Sequence, residues 1–251
     1  MLEKYNKIGF LSGSTLKIIA CIFMVIDHVG LVFFPFDDIY RILGRIAFPL
    51  FAFFIAEGSR YSKHKLRRFA LIFTIGIVFF LFYLIYDGSL YGNIFMTFSV
   101  SIILDQMLYT IKKSVFGGKV IRSALLLSGF VALVALIYYL YTLFHFEYGF
   151  FGMLLPVMIN IVNFKDIETD SFVKKLDNHG AKIILAIVGC ILLSIDGNLG
   201  VIQYYCLLSI IPLIFYNGKV GLKGMKYVFY IFYPAHLIII EGLALLLTYF
   251  N

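Results

Sequence analysis

The 251-residue chain has no tryptophan, five prolines and three cysteines, and only 14% of its side chains are charged. Ordinary soluble domains have about 25% charged residues. The cysteines Cys21, Cys190 and Cys206 lie in separate apolar runs, so they cannot form a disulfide framework. Their spacing is also not that of a metal site. The shortage of charge also excludes a disordered chain, which needs high polarity to remain unfolded.

Apolar residues make up 62% of the chain, against about 45–50% in soluble domains, and the mean hydropathy is +0.96. A transmembrane helix needs about 20 such residues, so the chain has room for about nine spans and no separate soluble domain. We therefore predict an all-α polytopic transmembrane helical bundle that forms one domain over 1–251. The predicted spans are about 14–36, 41–61, 66–86, 92–111, 120–144, 148–164, 181–195, 199–216 and 226–250.

Basic residues occur between the predicted spans in a regular pattern. If the N-terminus is cytoplasmic, with Lys4 and Lys7 in its tail, all but two of the 21 basic residues lie on the inner side. The exceptions are Arg41 and Arg45. We therefore predict a multi-pass protein of the cell (cytoplasmic) membrane with an extracytoplasmic C-terminus. Membrane lipid, rather than nucleic acid, is the expected partner of the +7 net charge.

Several ionisable residues fall at membrane depth, where their cost makes each a candidate functional residue. They are Asp27, His28, Arg45, Glu57, Asp105, His236 and Glu241. At about 1.5 Å per residue, His28 lies about 16 Å beyond Lys17, and His236 lies about 15 Å beyond Lys226. The two histidines are thus expected near mid-membrane at similar depth. For Asp105 and Glu241, a helix-packing role is the more plausible alternative.

Helical spacing groups these residues further. Lys17 and His28 fall within about 20° of one helix face, and Arg41 and Arg45 share another. Tyr233 and His236 nearly share a face as well. Pro49 and Pro234 are expected to interrupt their helices at membrane depth, which is tolerated only where protein or a cavity satisfies the backbone.

This set of residues suits group transfer across a bilayer. A neutral imidazole is a general base at physiological pH, and a carboxylate beside it fixes its tautomer. Arginines hold an anionic group or a developing oxyanion. A proton-coupled transporter or channel for a small solute would use similar residues, and a non-catalytic membrane assembly factor is a third alternative.

At these residues the sequence resembles the TraX family of membrane-bound acetylases, named for the enzyme that acetylates the N-terminus of conjugative pilin. The resemblance extends from the first span to the last. The matching stretches are LKIIACIFMVIDHVGLVFFP (16–35), YRILGRIAFPLFAFFIAEGSRYS (40–62), EYGFFGMLL (147–155) and KYVFYIFYPAHLIIIE (226–241).

TraX proteins in turn resemble the acyltransferase-3 type of transmembrane acyltransferase, whose first helix carries Arg, ten residues and then His. Here Lys17 stands at the arginine position before His28, and lysine lacks the bidentate phosphate contact of arginine. The resemblance implies an acetyltransferase that uses cytoplasmic acetyl-CoA (an acyl-CoA donor). The acceptor would be an amine or hydroxyl on a peptide, a glycan or a lipid-linked molecule.

The resemblance implies His28 as the catalytic base, and the remaining roles follow from the chemistry of each side chain. The expected catalytic residues are His28, Asp27, His236, Arg45 and Glu147. The expected donor contacts are Lys17, Glu57 and Arg60, and the expected acceptor contacts are Arg41, Tyr148 and Tyr233. No metal site is expected, and the sequence does not indicate an oligomeric state.

Overall fold

The computed structural model describes residues 9–196, 200–222 and 226–250, and these are almost entirely helical. The predicted tail residues Lys4 and Lys7 lie outside the described residues. In chain order the helices are α1 (Gly13–Phe33), α2 (Asp38–Gly44), α3 (Ala47–Tyr61), α4 (Lys65–Asp87), α5 (Ile94–Phe116), α6 (Val120–Leu143), α7 (Gly149–Ile159), α8 (Ser171–Leu176), α9 (His179–Ile195), α10 (Ile210–Ile214) and α11 (Lys226–Phe250). Short 3₁₀ helices cover Asn160–Val162 and Val201–Ser209.

The chain forms two compact units, Met1–Phe51 with Leu199–Asn251, and Ala52–Asn198. In the first unit, α1 packs against both α2 and α11. The residues that precede α1 pair with the residues that follow α10: Leu11 N donates to Phe215 O at 2.9 Å, and Gly13 N donates to Lys219 O at 2.8 Å. The first unit is therefore built from both ends of the chain.

The second unit is centred on α5, which packs against α4, α6 and α7. Its buried core contains Leu104 from α5, Ile137 from α6, and Met153 and Val157 from α7. A parallel pair of two-residue strands, β1 (Tyr91–Gly92) and β2 (His145–Phe146), joins the loops before α5 and α7. The α7 helix also packs on α9.

Polar residues in the short loops start several helices by accepting backbone N–H groups that have no partner within the helix. The Ser12 Oγ accepts from Thr15 N at 3.2 Å at the start of α1. Asp37 caps α2, Asn93 caps α5 and Asn178 caps α9 in the same way. These caps fix the residues at which α1, α2, α5 and α9 begin.

Six helices among the described residues are long and apolar enough to cross a membrane, as expected for a polytopic membrane protein. Each predicted apolar segment contains helix, but the predicted count of nine spans is not confirmed. The three remaining segments form shorter helices, Gly149–Val162, His179–Ile195 and Val201–Ile214. Proline lies in two of them, at Pro156 in α7 and Pro212 in α10. The three cysteines are buried, and within the described part of the chain none of them forms a disulfide.

Candidate functional site

Two histidines from opposite ends of the chain meet in the first unit. His28 lies on α1 and His236 on α11, and their ring centroids are 4.8 Å apart with an interplanar angle of 84°. His236 is 5% exposed, whereas His28 is half-buried. The structure therefore brings together the two histidines that were predicted to share a depth.

Each imidazole is held by a carbonyl oxygen one helical turn earlier. His28 Nδ1 lies 2.9 Å from Met24 O, and His236 Nδ1 lies 3.0 Å from Phe232 O. A carbonyl oxygen can only accept a hydrogen bond, so Nδ1 carries the proton of each neutral ring. Nε2 is then the basic nitrogen of both rings. Among the described residues, the buried Nε2 of His236 has no hydrogen-bond partner.

Two aromatic side chains of α11 pack on the His236 ring. The Phe232 ring stacks on His236 with a centroid separation of 5.1 Å and an interplanar angle of 9°. Tyr233 meets His236 edge to face at 5.6 Å and is itself buried. Tyr233, predicted as an acceptor contact, therefore lies beside the imidazole.

Asp27, the residue before His28, binds two arginines at once. Arg41 Nη1 lies 2.7 Å from Asp27 Oδ2, and Arg45 Nη2 lies 3.0 Å from Oδ1. The Arg41 side chain is 31% exposed, against 10% for the other two. Asp27 thus positions the arginines, while the Met24 carbonyl orients the His28 ring.

Gln203 completes this cluster and was not among the predicted site residues. It lies in the 3₁₀ helix Val201–Ser209 and is fully buried, and its Oε1 accepts from Arg45 Nη1 at 3.3 Å. The prediction considered only ionisable side chains at membrane depth. A single glutamine within the apolar segment 199–216 was the signal that was available.

Arg45 occupies a break between two helices. The α2 helix ends at Gly44 and α3 begins at Ala47. Pro49 has no N–H, and its ring excludes a helical carbonyl four residues earlier, which is the Arg45 carbonyl. The helix is therefore interrupted at Arg45, as expected from Pro49. The Arg45 side chain folds back along α2, and its Nε donates to Arg41 O at 3.3 Å. In contrast, α11 continues through Pro234.

Two glycines allow α1 and α2 to approach closely. A Cβ added at Gly44 would overlap the Asp27 side chain, and one added at Gly30 would overlap the Tyr40 side chain. Small residues serve the same purpose at helix contacts in membranes generally. The close approach is what brings the Arg41 and Arg45 side chains to Asp27.

The predicted donor contacts fall in different units. Lys17 belongs to the first unit, where its Nζ lies 5.5 Å from the centre of the Phe229 ring on α11. Glu57 and Arg60 belong to the second unit. There Glu57 Oε1 accepts from Lys182 Nζ at 2.6 Å, and Arg60 binds Asp177 in a buried ion pair. Lys182 lies near the start of α9, within the predicted span 181–195, and is 4% exposed.

Glu147 and Tyr148 also lie in the second unit. Glu147 Oε2 accepts from Ile94 N at 2.8 Å and so caps the first turn of α5. Tyr148 precedes α7 with a φ of +62°, in the left-handed region. The Glu147 contact joins the residue that follows β2 to the first turn of α5.

A second buried polar group lies where α5 meets the end of α7. Asn160 Nδ2 donates to Asp105 Oδ2 at 2.6 Å and to Ala56 O at 3.0 Å. Lys112 Nζ donates to Asn160 O at 2.8 Å and to Asn163 O at 2.7 Å, which satisfies carbonyls at the end of a helix. Asp105 therefore makes the interhelical contact that was its expected alternative role.

Comparison with known proteins agrees with the resemblance in the sequence. A family model described as TraX protein matches residues 12–244. The chain belongs to the TraX family. This TraX chain is 25% identical over 252 residues to FimC of serogroup H1, a probable fimbrial assembly protein of Dichelobacter nodosus, and the match covers 90% of the chain and 93% of that protein.

A second relative of this TraX chain matches over a shorter stretch. It is an uncharacterized protein of Rickettsia prowazekii (strain Madrid E), 45% identical over 67 residues, which are 27% of the chain and 26% of that protein. No solved structure matches the chain.

Proposed function

We propose that this TraX protein is an integral membrane acetyltransferase. It moves an acetyl group from cytoplasmic acetyl-CoA to an amine or hydroxyl acceptor at the outer side of the membrane. The observation that carries this proposal is the contact between His28 and His236. In both rings Nε2 is the basic nitrogen. One Nε2 can therefore accept a proton from the acceptor, while the other can hold a proton or return it to the leaving group.

The transfer step balances with these groups. Nε2 of His28, the more exposed ring, removes the proton from the acceptor. The acceptor oxygen or nitrogen then bonds to the acetyl carbonyl carbon. The carbon–sulfur bond breaks, and its electron pair stays on sulfur. The thiolate takes the proton back from the imidazolium, so that an ester or amide and the free thiol of CoA are released.

Arg41 and Arg45 have separate parts in this proposal. Arg45 is the more buried of the two and is held by Asp27, the Arg41 carbonyl and Gln203. It is therefore a positioning residue. Arg41 is more exposed and donates from Nη1 to Asp27. Its remaining guanidinium donors suit an anionic group of a substrate or the oxyanion that develops during attack.

The decisive experiment measures acetyl transfer by the full chain in proteoliposomes supplied with acetyl-labelled acetyl-CoA. His28→Ala is expected to lower the transfer rate about 10²–10⁴-fold, the usual contribution of a general base. His64→Ala is the matched control, because His64 is exposed in the loop between α3 and α4. Transfer by His28→Ala at the wild-type rate would overturn the proposal. Solute uptake without any acyl-CoA would favour the transporter alternative.

A further inference from the structure

An acidic side chain lies on the exposed surface of α11 at membrane depth. Glu241 is exposed, and no described residue forms a hydrogen bond or an ion pair with it. It belongs to the segment Val228–Tyr249, which is long and apolar enough to cross a membrane. At 1.5 Å per residue, Glu241 lies about 20 Å from one end of this segment and about 12 Å from the other. The carboxyl group therefore falls inside the hydrocarbon layer, which is about 30 Å thick.

A carboxyl group that faces lipid is costly in free energy. Hydrocarbon offers it no hydrogen bond, and acidic side chains within membranes almost always face other protein or a water-filled cavity. A helix-packing role was the expected alternative for Glu241, and α11 packs on α1 in the first unit. The contact of His236 with His28 marks the side of α11 that meets α1. Glu241 lies about 140° further round the helix, so α1 does not supply its packing partner.

Apolar residues at regular spacing lie beside Glu241. Ile231, Ile238 and Leu245 recur every seven residues and are 66%, 71% and 67% exposed. Seven residues are nearly two helical turns, so these three side chains form one line along α11. Glu241 lies three residues after Ile238 and four before Leu245, which makes it a neighbour of both. Apolar residues at this spacing form the contact between paired helices. We call Ile231, Ile238, Glu241 and Leu245 the α11 seam.

The depth of Glu241 indicates which helix covers the α11 seam. Copies of one chain insert in the same orientation, so a two-fold axis along the membrane normal brings each seam residue to its own counterpart at the same depth. Two Glu241 side chains then meet. A carboxyl group in hydrocarbon is neutral, and a neutral carboxyl group has both an O–H donor and an acceptor oxygen. Each Glu241 can therefore donate to the other, and a second copy supplies the missing hydrogen bond.

We propose that the α11 seam is an interface between two copies of this chain in the membrane, in which the two Glu241 side chains are hydrogen-bonded to each other. The seam and His236 lie on different sides of α11, so each copy keeps its own contact between His28 and His236. This inference is independent of the proposed acetyltransferase function, because it concerns the association of the chain and not its chemistry.

Cysteine crosslinking in a bilayer tests the position of the interface. The full chain with Ile238→Cys is reconstituted in phosphatidylcholine vesicles at a high ratio of lipid to protein and oxidised with copper phenanthroline. Ile239→Cys is the matched control, because Ile239 is 60% exposed at nearly the same depth but lies about 100° round the helix, on the side away from Glu241. A disulfide-linked dimer is expected for Ile238→Cys only, since the cysteines of the chain itself are buried. Equal dimer yields from the two variants would overturn the proposed interface.

Substitutions of Glu241 test the hydrogen bond between the copies. Förster energy transfer between labelled copies, measured over a series of lipid dilutions, gives the dissociation constant of the dimer. Glu241→Leu removes the hydrogen bond and is expected to raise this constant about 3–20-fold, the usual effect of one hydrogen bond between membrane helices. Glu241→Gln keeps a donor and an acceptor and is expected to stay near the wild-type value. An unchanged dissociation constant in Glu241→Leu would overturn the proposed role of Glu241.

The wild-type chain and the fold of the variant complete the test. Glu241→Leu takes a polar group out of hydrocarbon, so its Tm should not fall below that of the wild type, and a weaker dimer then reflects the lost contact rather than misfolding. A wild-type chain that stays monomeric at every dilution would overturn the contact between copies. Crosslinks from Ile238→Cys to a different protein in cell membranes, without a dimer of this chain, would assign the α11 seam to a foreign helix and also overturn the proposal.

Discussion

Arg45 donates from Nη2 to both carboxylate oxygens of Asp27, at 3.0 and 3.4 Å, across the α1–α2 contact. The carboxylate that precedes the candidate base is thus bound to guanidinium groups of its own chain. Asp27 and His28 therefore have different roles, although they are adjacent in sequence. The Asp27 carboxylate contributes to the stability of the first unit, and the His28 imidazole is the candidate base.

Asp27→Asn is expected to destabilise the protein. The substitution leaves two guanidinium groups without their carboxylate, and breaking a buried ion pair costs about 3–5 kcal/mol. Thermal unfolding of the detergent-solubilised protein measures the loss as a lower Tm. Asp38→Asn is the control, because Asp38 is exposed in the first turn of α2. Equal Tm values for the two variants would mean that the ion pairs contribute nothing to stability.

The two histidines are expected to behave as one functional unit. Because the rings are in contact, the losses in transfer rate from His28→Ala and His236→Ala should not add. The double variant should be about as slow as the slower single variant, as is found for catalytic groups that act together. Single-turnover rates of all four proteins measure this coupling. Strictly additive losses would show that the two rings act independently.

The pair of Glu57 and Lys182 offers a test between a structural and a donor-binding role. Glu57→Gln leaves the Lys182 ammonium buried without its carboxylate and should cost about 3–5 kcal/mol of unfolding free energy. The double substitution Glu57→Leu with Lys182→Met removes both charges and should restore most of the stability. If the double variant is stable but its affinity for acetyl-CoA falls, the Glu57–Lys182 pair takes part in donor binding, as the sequence predicted for Glu57.

Replacing the Glu147 carboxylate by an amide is expected to have little effect on activity or stability. Glu147→Gln keeps an oxygen that accepts from Ile94 N, so transfer activity and Tm should stay close to wild type. Glu147→Ala removes the acceptor of Ile94 N while Asn93 still caps Phe95 N, and should cost about 0.5–2 kcal/mol. The comparison uses initial rates and thermal unfolding of both variants. A large loss of rate in Glu147→Gln at unchanged Tm would instead support the predicted catalytic role.

Gly44 and Gly242 make a matched pair of substitutions. Gly44→Ala forces a methyl group into the Asp27 side chain and should destabilise by about 1–3 kcal/mol. Gly242→Ala on α11 meets nothing within 4 Å and should stabilise by about 0.5–1 kcal/mol, since alanine favours a helix over glycine. Tm shifts of opposite sign are the expected result. A Gly44→Ala protein as stable as wild type would contradict the close approach of α1 and α2.

Part of the fold and of the site was readable from the sequence. The first span was predicted at 14–36 and its helix covers Gly13–Phe33, because long apolar runs allow few alternatives to a helix in a membrane. The constant rise of a helix placed His28 and His236 at similar depth from their distances to basic residues. The same regularity put Arg41 and Arg45 on one face.

Other features could not be read in this way. Apolar composition does not fix the length or type of a helix: within the described ranges, three of the nine predicted spans form shorter helices, and one of these begins with the 3₁₀ helix Val201–Ser209. The partner of Glu57 lies on α9, and pairing between helices distant in sequence leaves no periodic signal. Gln203 was not predicted because burying an uncharged polar side chain in a membrane costs less free energy than burying a charged one. A lone glutamine is therefore a weaker signal of a functional site.

The histidine pair joins a helix near the start of the chain to a helix near its end. During synthesis α1 leaves the ribosome well before α11, and domains form as their residues become available. His28 therefore lacks its partner ring until α11 has entered the bilayer. A chain interrupted before α11 has every residue of α1 and α2 and no imidazole pair, so the pair can form only after α11 has been made.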